Sequence, residues 1–456
     1  MSTPIAEPAA AAPGTIDRLL GLFSEVRAGE GARALLMLVN VFLILVSYYI
    51  LKTVREPLIL ATDVPEVLQR LGIHDPAEVK TYSSAGQALL LMAFVPAYGW
   101  FAARVNRSKL VLGVTLFFVA NIIAFALGVS ANADHIGVYF YIWVGIFSLS
   151  IIAQFWSYAN DSYSKEAGGR LFPIIAIGST IGSPIGAWVA ARMFEALLPP
   201  DAMLYLAAFL LLVTAGLFLL IDRSASASVA RQQAIAPEAT LGGKNGFALV
   251  FASPYIRLIA LLLVLLNVVN TTGEFILSHM VTVRAEALLA ADPAFSKGAY
   301  IGAFYGDYFF WVNVAALVMQ AFVASRLVKL FGLGGVLFAL PLIALGSYGI
   351  IALGATLSVV RWAKTAENSA DYSVMNTAKQ LLWLPTSREE KYKAKQAVDA
   401  FFYRLGDLVA AGVVFVGTSW LAMGSRAFAI ANLLFVVAWL VLAARIVREN
   451  QRLSAQ

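Results

Sequence analysis

DRSASASVARQQAIAPEATLGGKNG, residues 222–246, is the one long polar stretch in the interior of this chain. Its Ser-Ala-Ser-Ala-Ser run, with Pro237 and the Gly242-Gly243 pair, reads as a linker. On either side the sequence is built from apolar windows of about 20 residues, the length that crosses a bilayer core as a helix. Before the linker these windows lie near 34–56, 84–103, 109–128, 136–159, 170–193 and 202–221; after it, near 255–280, 301–324, 334–353, 356–384, 398–422 and 427–447. The expectation is an all-α membrane protein of about twelve transmembrane helices in two six-helix halves, 34–221 and 255–447. A cytoplasmic linker over 222–254 would join them, and a cytoplasmic tail, 448–456, would end the chain.

Composition supports this and excludes other classes. Hydrophobic residues make up 60% of the 456 and charged residues 13%, with mean hydropathy +0.78; a soluble domain carries about 25% charged residues. There is no cysteine, which removes disulfides, thiolate metal sites and cysteine nucleophiles. His74, His135 and His279 are far apart and have no metal-ligand spacing. No cofactor, metal or nucleic acid is implied, and the formal charge of +6 fits loops facing anionic lipid. No phosphate-binding loop, HExxH or G-x-S-x-G is present. A membrane-embedded enzyme is a remote alternative, because His279, the one intramembrane histidine, has no evident nucleophile partner.

With the N-terminus placed in the cytoplasm, loops on that side hold 20 lysines and arginines and the other side six, Lys80 among them. Basic loops stay inside, so both termini of a multi-pass inner-membrane protein are expected in the cytoplasm. Residues 1–14 read as a disordered tail. Ile16, Leu19, Leu20, Phe23 and Val26 recur at helical spacing and predict an amphipathic helix on the membrane surface within 1–33.

Ionisable residues inside spans cost about 2.5–3.5 kcal/mol each on insertion scales and mark pathways. Span 10 carries Arg361, Lys364, Glu367, Asp371 and Lys379 on roughly a third of its circumference, with Asn368 and Met375 on the same arc and Ala366, Ala370 and Val374 off it. Such an arc predicts a water-filled cavity. Span 7 repeats the pattern with Asn267, Asn270, Thr271, Glu274 and Ser278. Span 1 offers Tyr48, Lys52, Arg55 and Glu56, the last two within snorkelling reach of the interface. Asp307 in span 8 adds a further carboxylate; Arg404 and Asp407 in span 11 read as an i,i+3 pair that satisfies itself. Gly178, Gly182 and Gly186 of span 5 read first as a close-packing run. Thr53-Val54-Arg55-Glu56 and Thr271-Thr272-Gly273-Glu274 fall in the same register of spans 1 and 7, and two six-helix halves with matching polar sites are the organisation of major-facilitator transporters.

Three stretches resemble the nucleotide (ATP/ADP) translocase family of plastids and intracellular bacteria and its bacterial relatives. They are Phe155–Asp161 with Glu166–Pro173; Ser253-Pro254-Tyr255 leading to Asn267, Asn270 and Glu274; and Asp371 through Lys379, Leu384-Pro385 and Lys393-Ala394-Lys395 to Asp399 and Arg404. The resemblance implies a major-facilitator fold, a cavity lined by helices 1, 4, 7 and 10, and ATP:ADP-type antiport. Lys379 falls on a lysine of the family's span 10 motif, and Lys52 near a basic family position. Asp371 and Asn376 depart from the family's lysine and aspartate.

The reading is a secondary active transporter that exchanges a nucleotide or other phosphorylated anion by alternating access. A proton-coupled major-facilitator transporter of a different solute is the alternative. Lys52, Arg55, Asn160, Asn270, Glu274, Arg361, Lys364, Asn368, Asp371 and Lys379 are the candidate substrate contacts, and Glu56, Glu274, Asp307 and Asp371 the candidates for coupling or charge balance. The expected partners are the small anionic substrate and the lipid bilayer, around a monomer.

Overall fold

The computed structural model describes residues 14–22, 24–102, 104–105, 107–225 and 245–454. The expected tail over 1–13, Phe23 of the expected surface helix and the middle of the linker, 226–244, lie outside them.

A helical rod forms over each of the twelve apolar windows. Spans 1 to 6 are Gly31–Leu60, Pro76–Ala102, Arg107–Ser130, Ile136–Ser162, Lys165–Glu195 and Pro200–Ala225. Span 7, Pro254–Ala291, starts with a Ser253 cap followed by Pro254, a residue suited to a first helical turn. Span 8, Lys297–Val318, runs on through the π-turn stretch Met319–Ala324 into span 9, Ser325–Ala352, whose chain bends at Gly332 with φ 59°. Span 10 is Leu357–Ala370, a π-turn stretch Asp371–Met375, and Asn376–Leu381. Span 11 covers Glu390–Trp420, and span 12 is Ser425–Ser454.

Among the described residues nine helices are long and apolar enough to cross a membrane unaided. Spans 8 and 9 count as one of these, and spans 2 and 10, both rich in polar side chains, stand outside the nine. An amphiphilic span needs partners that hide its polar side from lipid, so these two belong at the centre of the bundle.

Packing inside the first half rests on span 5 against span 1. Gly178, Gly182 and Gly186 lie on the span 1 carbonyls of Leu38, Phe42 and Val46; a Cβ at Gly182 would stand 2.6 Å from the Phe42 oxygen. The small-residue run therefore lets two backbones touch, where dispersion and packing replace the hydrophobic drive that lipid does not supply. The same helix meets the second half through Gly306 of span 8, where a Cβ would lie 2.8 Å from the Ala191 nitrogen.

The expected surface helix is shorter than its sequence pattern. It covers Thr15–Leu20 and is pinned to the bundle. The Asp17 carboxylate accepts from the backbone N–H groups of Gly29, Gly14 and Gly31, led by Gly29, which hold it below the ordinary carboxylate range. Leu20 is buried against Ala34, Leu171 and Ile174.

Candidate functional site

Two cavities lie along the bundle axis. The central one, about 230 Å³, is lined by Arg55, Lys80 and Tyr141 of the first half and by Asn267, Asn270, Thr271, Glu274, Tyr372, Tyr403, Arg404 and Asp407 of the second. The other, about 410 Å³, lies toward the linker end between Leu91–Tyr98 of span 2, Leu149–Ala153 of span 4 and Gln396–Arg404 of span 11. Arg404 lines both. At the end opposite the linker the halves are tied together. Asp75 meets His279 at 2.5 Å, Thr418 donates to Glu78 at 2.9 Å, and Lys80 donates to Ser278 at 2.9 Å. The molecule is thus closed at that end and hollow toward the linker.

In the first half, Lys52 of span 1 is 9% exposed. Its Nζ sits 4.4 Å from the centre of the Phe309 ring and 5.1 Å from that of Tyr49, and reaches the Tyr372 hydroxyl at 3.5 Å. Ring faces compensate a cation without neutralising it. One turn on, Glu56 is fully buried, 2.8 Å from Arg55 Nη2 and 2.7 Å from Lys80 Nζ. This corrects two expectations. Glu56 does not snorkel to the interface, and Lys80 is not an outer-loop charge: it lies inside span 2, 6% exposed, and binds Ser278 and Tyr305 of the other half. A carboxylate flanked by two cations is the form in which a bilayer interior tolerates all three.

In the second half, Lys364 is fully buried and donates to Glu367 at 2.9 Å and to Asn270 at 3.3 Å. Tyr348 also donates to Glu367, at 3.1 Å. Glu274 borders the cavity, accepts from Asn368 at 2.8 Å and from Tyr308 at 3.1 Å, and lies 3.9 Å from Lys364. Arg361 pairs with Asp307, and Lys379 with Asp371 at 3.1 Å. Arg404 and Asp407 are 3.7 Å apart, too far for a hydrogen bond, and Asp407 instead accepts from Thr271 at 2.9 Å. The self-satisfied pair expected from sequence is thus loose, and both residues face the cavity.

Span 10 does enter the centre, but its face is turned from the expected arc. Lys364, Met375, Ala370 and Val374 are all buried, whereas Tyr372 and Asn376 are exposed and Tyr372 lines the cavity. From Asp371 on, the cause is the π-turn stretch Asp371–Met375, which inserts a residue into the helical repeat and rotates the turns beyond it; Lys364 lies before that stretch and is drawn inward by Glu367 and Asn270. Asn160 stands apart from the other candidates, exposed at the linker end of span 4 and outside both cavity linings. Among the described residues no group of three His, Asp or Glu side chains could hold a metal ion.

Residues 311–450, which include span 10, its following loop and span 11, match the profile of the TLC ATP/ADP transporter family. Over that part the chain is similar to the nucleotide translocases. It is 23% identical over 341 residues to ADP,ATP carrier protein 1 of Chlamydia muridarum (strain MoPn / Nigg), covering 66% of this chain and 62% of that one. To the Chlamydia pneumoniae protein of the same name it is 25% identical over 347 residues, 66% of this chain and 64% of that one. The chain thus spans less than two thirds of the length of these carriers. Among solved structures, nucleoside transporter NupG superposes with TM-score 0.63 at 16% identity, over 91% of this chain and 98% of its own. The POT family transporter PepTSo gives 0.61 at 12%, over 93% and 99%. At such identities the likeness establishes the major-facilitator fold.

The third resembling stretch, Asp371 to Arg404, lies inside the matched residues, and the other two precede them. The sequence pattern missed Lys80 and the aromatic cage Tyr49, Phe309 and Tyr372, and it set Arg404 aside as half of a self-satisfied pair. Lys80 was hidden because Glu78 and Lys80 open their helix and mimic a loop; aromatic residues in spans are too common to signal a cage.

Proposed function

We propose that this chain exchanges a nucleotide or another phosphorylated anion across the cell inner membrane by alternating access, with both termini and the linker in the cytoplasm and the monomer as the working unit. The observation that carries this reading is the central cavity: cations and carboxylates of both halves converge on it, in a bundle tied at one end and hollow at the other. The matched translocase profile and the Chlamydia carriers named for ADP and ATP support the substrate class.

In this scheme the two bundles, 34–221 and 255–447, rock about the cavity. The hollow end faces the cytoplasm. Lys52, Arg55, Arg361 and Lys379 supply positive potential, Asn270 and Asn368 supply hydrogen bonds, and Lys364, sealed from the cavity, holds Glu367 and Glu274 in place. Glu56, Glu274, Asp307 and Asp371 balance charge as the cations change partners. Opening the opposite end requires Lys80 to leave Ser278 and Tyr305, and His279 to leave Asp75.

The test is uptake of a panel of labelled nucleotides and phosphorylated metabolites into proteoliposomes of the purified chain, with and without internal counter-substrate. Uptake that requires internal nucleotide supports exchange. Uptake driven by a pH gradient alone, with no counter-substrate, would replace the scheme by the proton-coupled alternative.

A further inference from the structure

The carboxylates of the cavity region already hold most of its cations. Arg55 and Lys80 share Glu56, Lys364 is on Glu367, Arg361 on Asp307 and Lys379 on Asp371. Two cations differ. Lys52 is held by rings, with no carboxylate in ion-pair reach among the described residues. Arg404 stands 3.7 Å from an Asp407 that bonds Thr271, and it faces both cavities. Set against Glu56, Glu274, Asp307, Glu367, Asp371 and Asp407, the seven cations of the region leave a surplus of one positive unit.

The chamber on the linker side of Arg404 has a different chemistry. Leu91, Val95 and Ala153 make it apolar, and the rings of Phe94 and Tyr98 stack on its span 2 wall with centroids 5.6 Å apart and planes at 19°. Asp399 stands on the same wall as Arg404. A flat heterocycle fits against such rings. Its N–H or amino edge suits a carboxylate, and an anionic end suits the arginine.

We infer that the substrate is a nucleoside monophosphate, bound with its base in the Phe94–Tyr98 chamber and its phosphate at Arg404, directed into the central cavity toward Lys52. This rests on the nucleotide reading above and narrows it. A phosphate monoester carries about 1.5 to 2 negative charges at neutral pH, fewer than a di- or triphosphate and the nearest to that small surplus. A di- or triphosphate brings more charge than the site can neutralise and sets it beside Glu274 and Asp407, in surroundings too dry to screen the excess.

The experiment is counterflow of labelled AMP in proteoliposomes, in EDTA so that free nucleotides are compared. Unlabelled AMP, ADP, ATP, adenosine and orthophosphate serve as competitors. AMP should compete at least tenfold better than ATP, and better than adenosine or orthophosphate alone. Arg404→Gln should raise the KM for AMP at least tenfold while leaving the weak competition by adenosine in place. Phe94→Leu should remove adenosine competition and spare that by orthophosphate. Asp371→Asn frees Lys379 and should improve ADP relative to AMP at least threefold, a gain that misfolding cannot produce. Equal competition by ATP and AMP, an unchanged KM in Arg404→Gln, or no gain for ADP in Asp371→Asn would overturn this inference alone. Failure of all three nucleotides to exchange would overturn the nucleotide reading and this inference together.

Discussion

The ring-lined and the carboxylate-lined parts of the cavity region handle positive charge differently. In the first half Lys52 is surrounded by rings, whereas in the second half Lys364, Arg361 and Lys379 each have a carboxylate, and the first of these is sealed from the cavity. A cation held by rings keeps its charge available, because a quadrupole cannot cancel a monopole. A cation on a carboxylate is neutral at a distance and serves to hold helices together, or is freed only when its partner is drawn away. The comparison teaches that the number of intramembrane charges is a poor guide to how many face a substrate. Span 10 is the most charged of the twelve apolar windows, and its most buried charge, Lys364, is a structural one.

The largest effect should come from breaking that structural pair. Lys364→Met leaves the buried Glu367, and Glu274 at the edge of the cavity, without their shared cation. Removal of one partner from a buried pair costs about 3–5 kcal/mol. Membrane yield and thermal stability in detergent should both collapse, and Lys364→Met with Glu367→Gln should recover a large part of the loss. A stable, abundant single variant would show that Lys364 is not structural.

Lys52→Gln should act in the opposite manner. No carboxylate is orphaned, so the protein should fold and insert near wild-type levels, while exchange falls by about 100-fold, the effect of losing roughly 2.7 kcal/mol of anion binding. Lys379→Gln, whose cation is already shared with Asp371, should lower exchange by less than tenfold. If both variants lost activity equally, the contrast between ring-held and carboxylate-held cations would have no functional content.

How much of this was legible in the sequence differs by level. The twelve spans were readable because each crossing needs its own apolar window, and the observed rods differ from those windows mainly at their ends. That spans 1, 7 and 10 reach the central cavity was readable too, since polar side chains inside a bilayer stand out, but the share of its lining that spans 2 and 11 supply was not. Which side of span 10 meets the cavity was not. A helical projection assumes 3.6 residues per turn throughout, and the π-turn at Asp371–Met375 breaks that assumption without a mark in the sequence. The partners of Glu56 were hidden as well: Lys80 lies 24 positions further along, on a helix whose polar first turn resembles a loop.

That rotation gives a sharper test of where the second half meets water. The native chain has no cysteine, so single cysteines report against zero background. Cysteines at Tyr372 and Asn376 should react with a water-soluble thiol reagent added from the linker side, and one at Val374, buried in packing, should not. Reactivity at Tyr372 should drop when substrate is present. Reaction at Val374 without reaction at Tyr372 would restore the unrotated helix and undo the assignment of the cavity face.

The smallest effect concerns a charge pair outside the cavity, and it bounds how much any ion pair at the rim is worth. Arg170, at the start of span 5, donates to both oxygens of Glu30 at 2.8 and 2.9 Å, just before span 1 begins. That bond is the main reason the Glu30 carboxyl sits below its ordinary range. A carboxylate lowered in the folded state stabilises it above the unfolded value, near 4.5, and loses that contribution as pH falls through the lower folded value. At neutral pH Glu30→Gln should therefore cost about 1 kcal/mol, since the pair is partly exposed and screened by solvent. In a chain of this size that is a fall of about 2 °C or less in melting temperature. The difference between wild type and variant should shrink once the pH is taken well below 4.5, and exchange at neutral pH should be unchanged. A variant that lost transport while keeping its melting temperature would mean that the Glu30–Arg170 clamp, which joins spans 1 and 5 at the open end, takes part in the rocking movement itself.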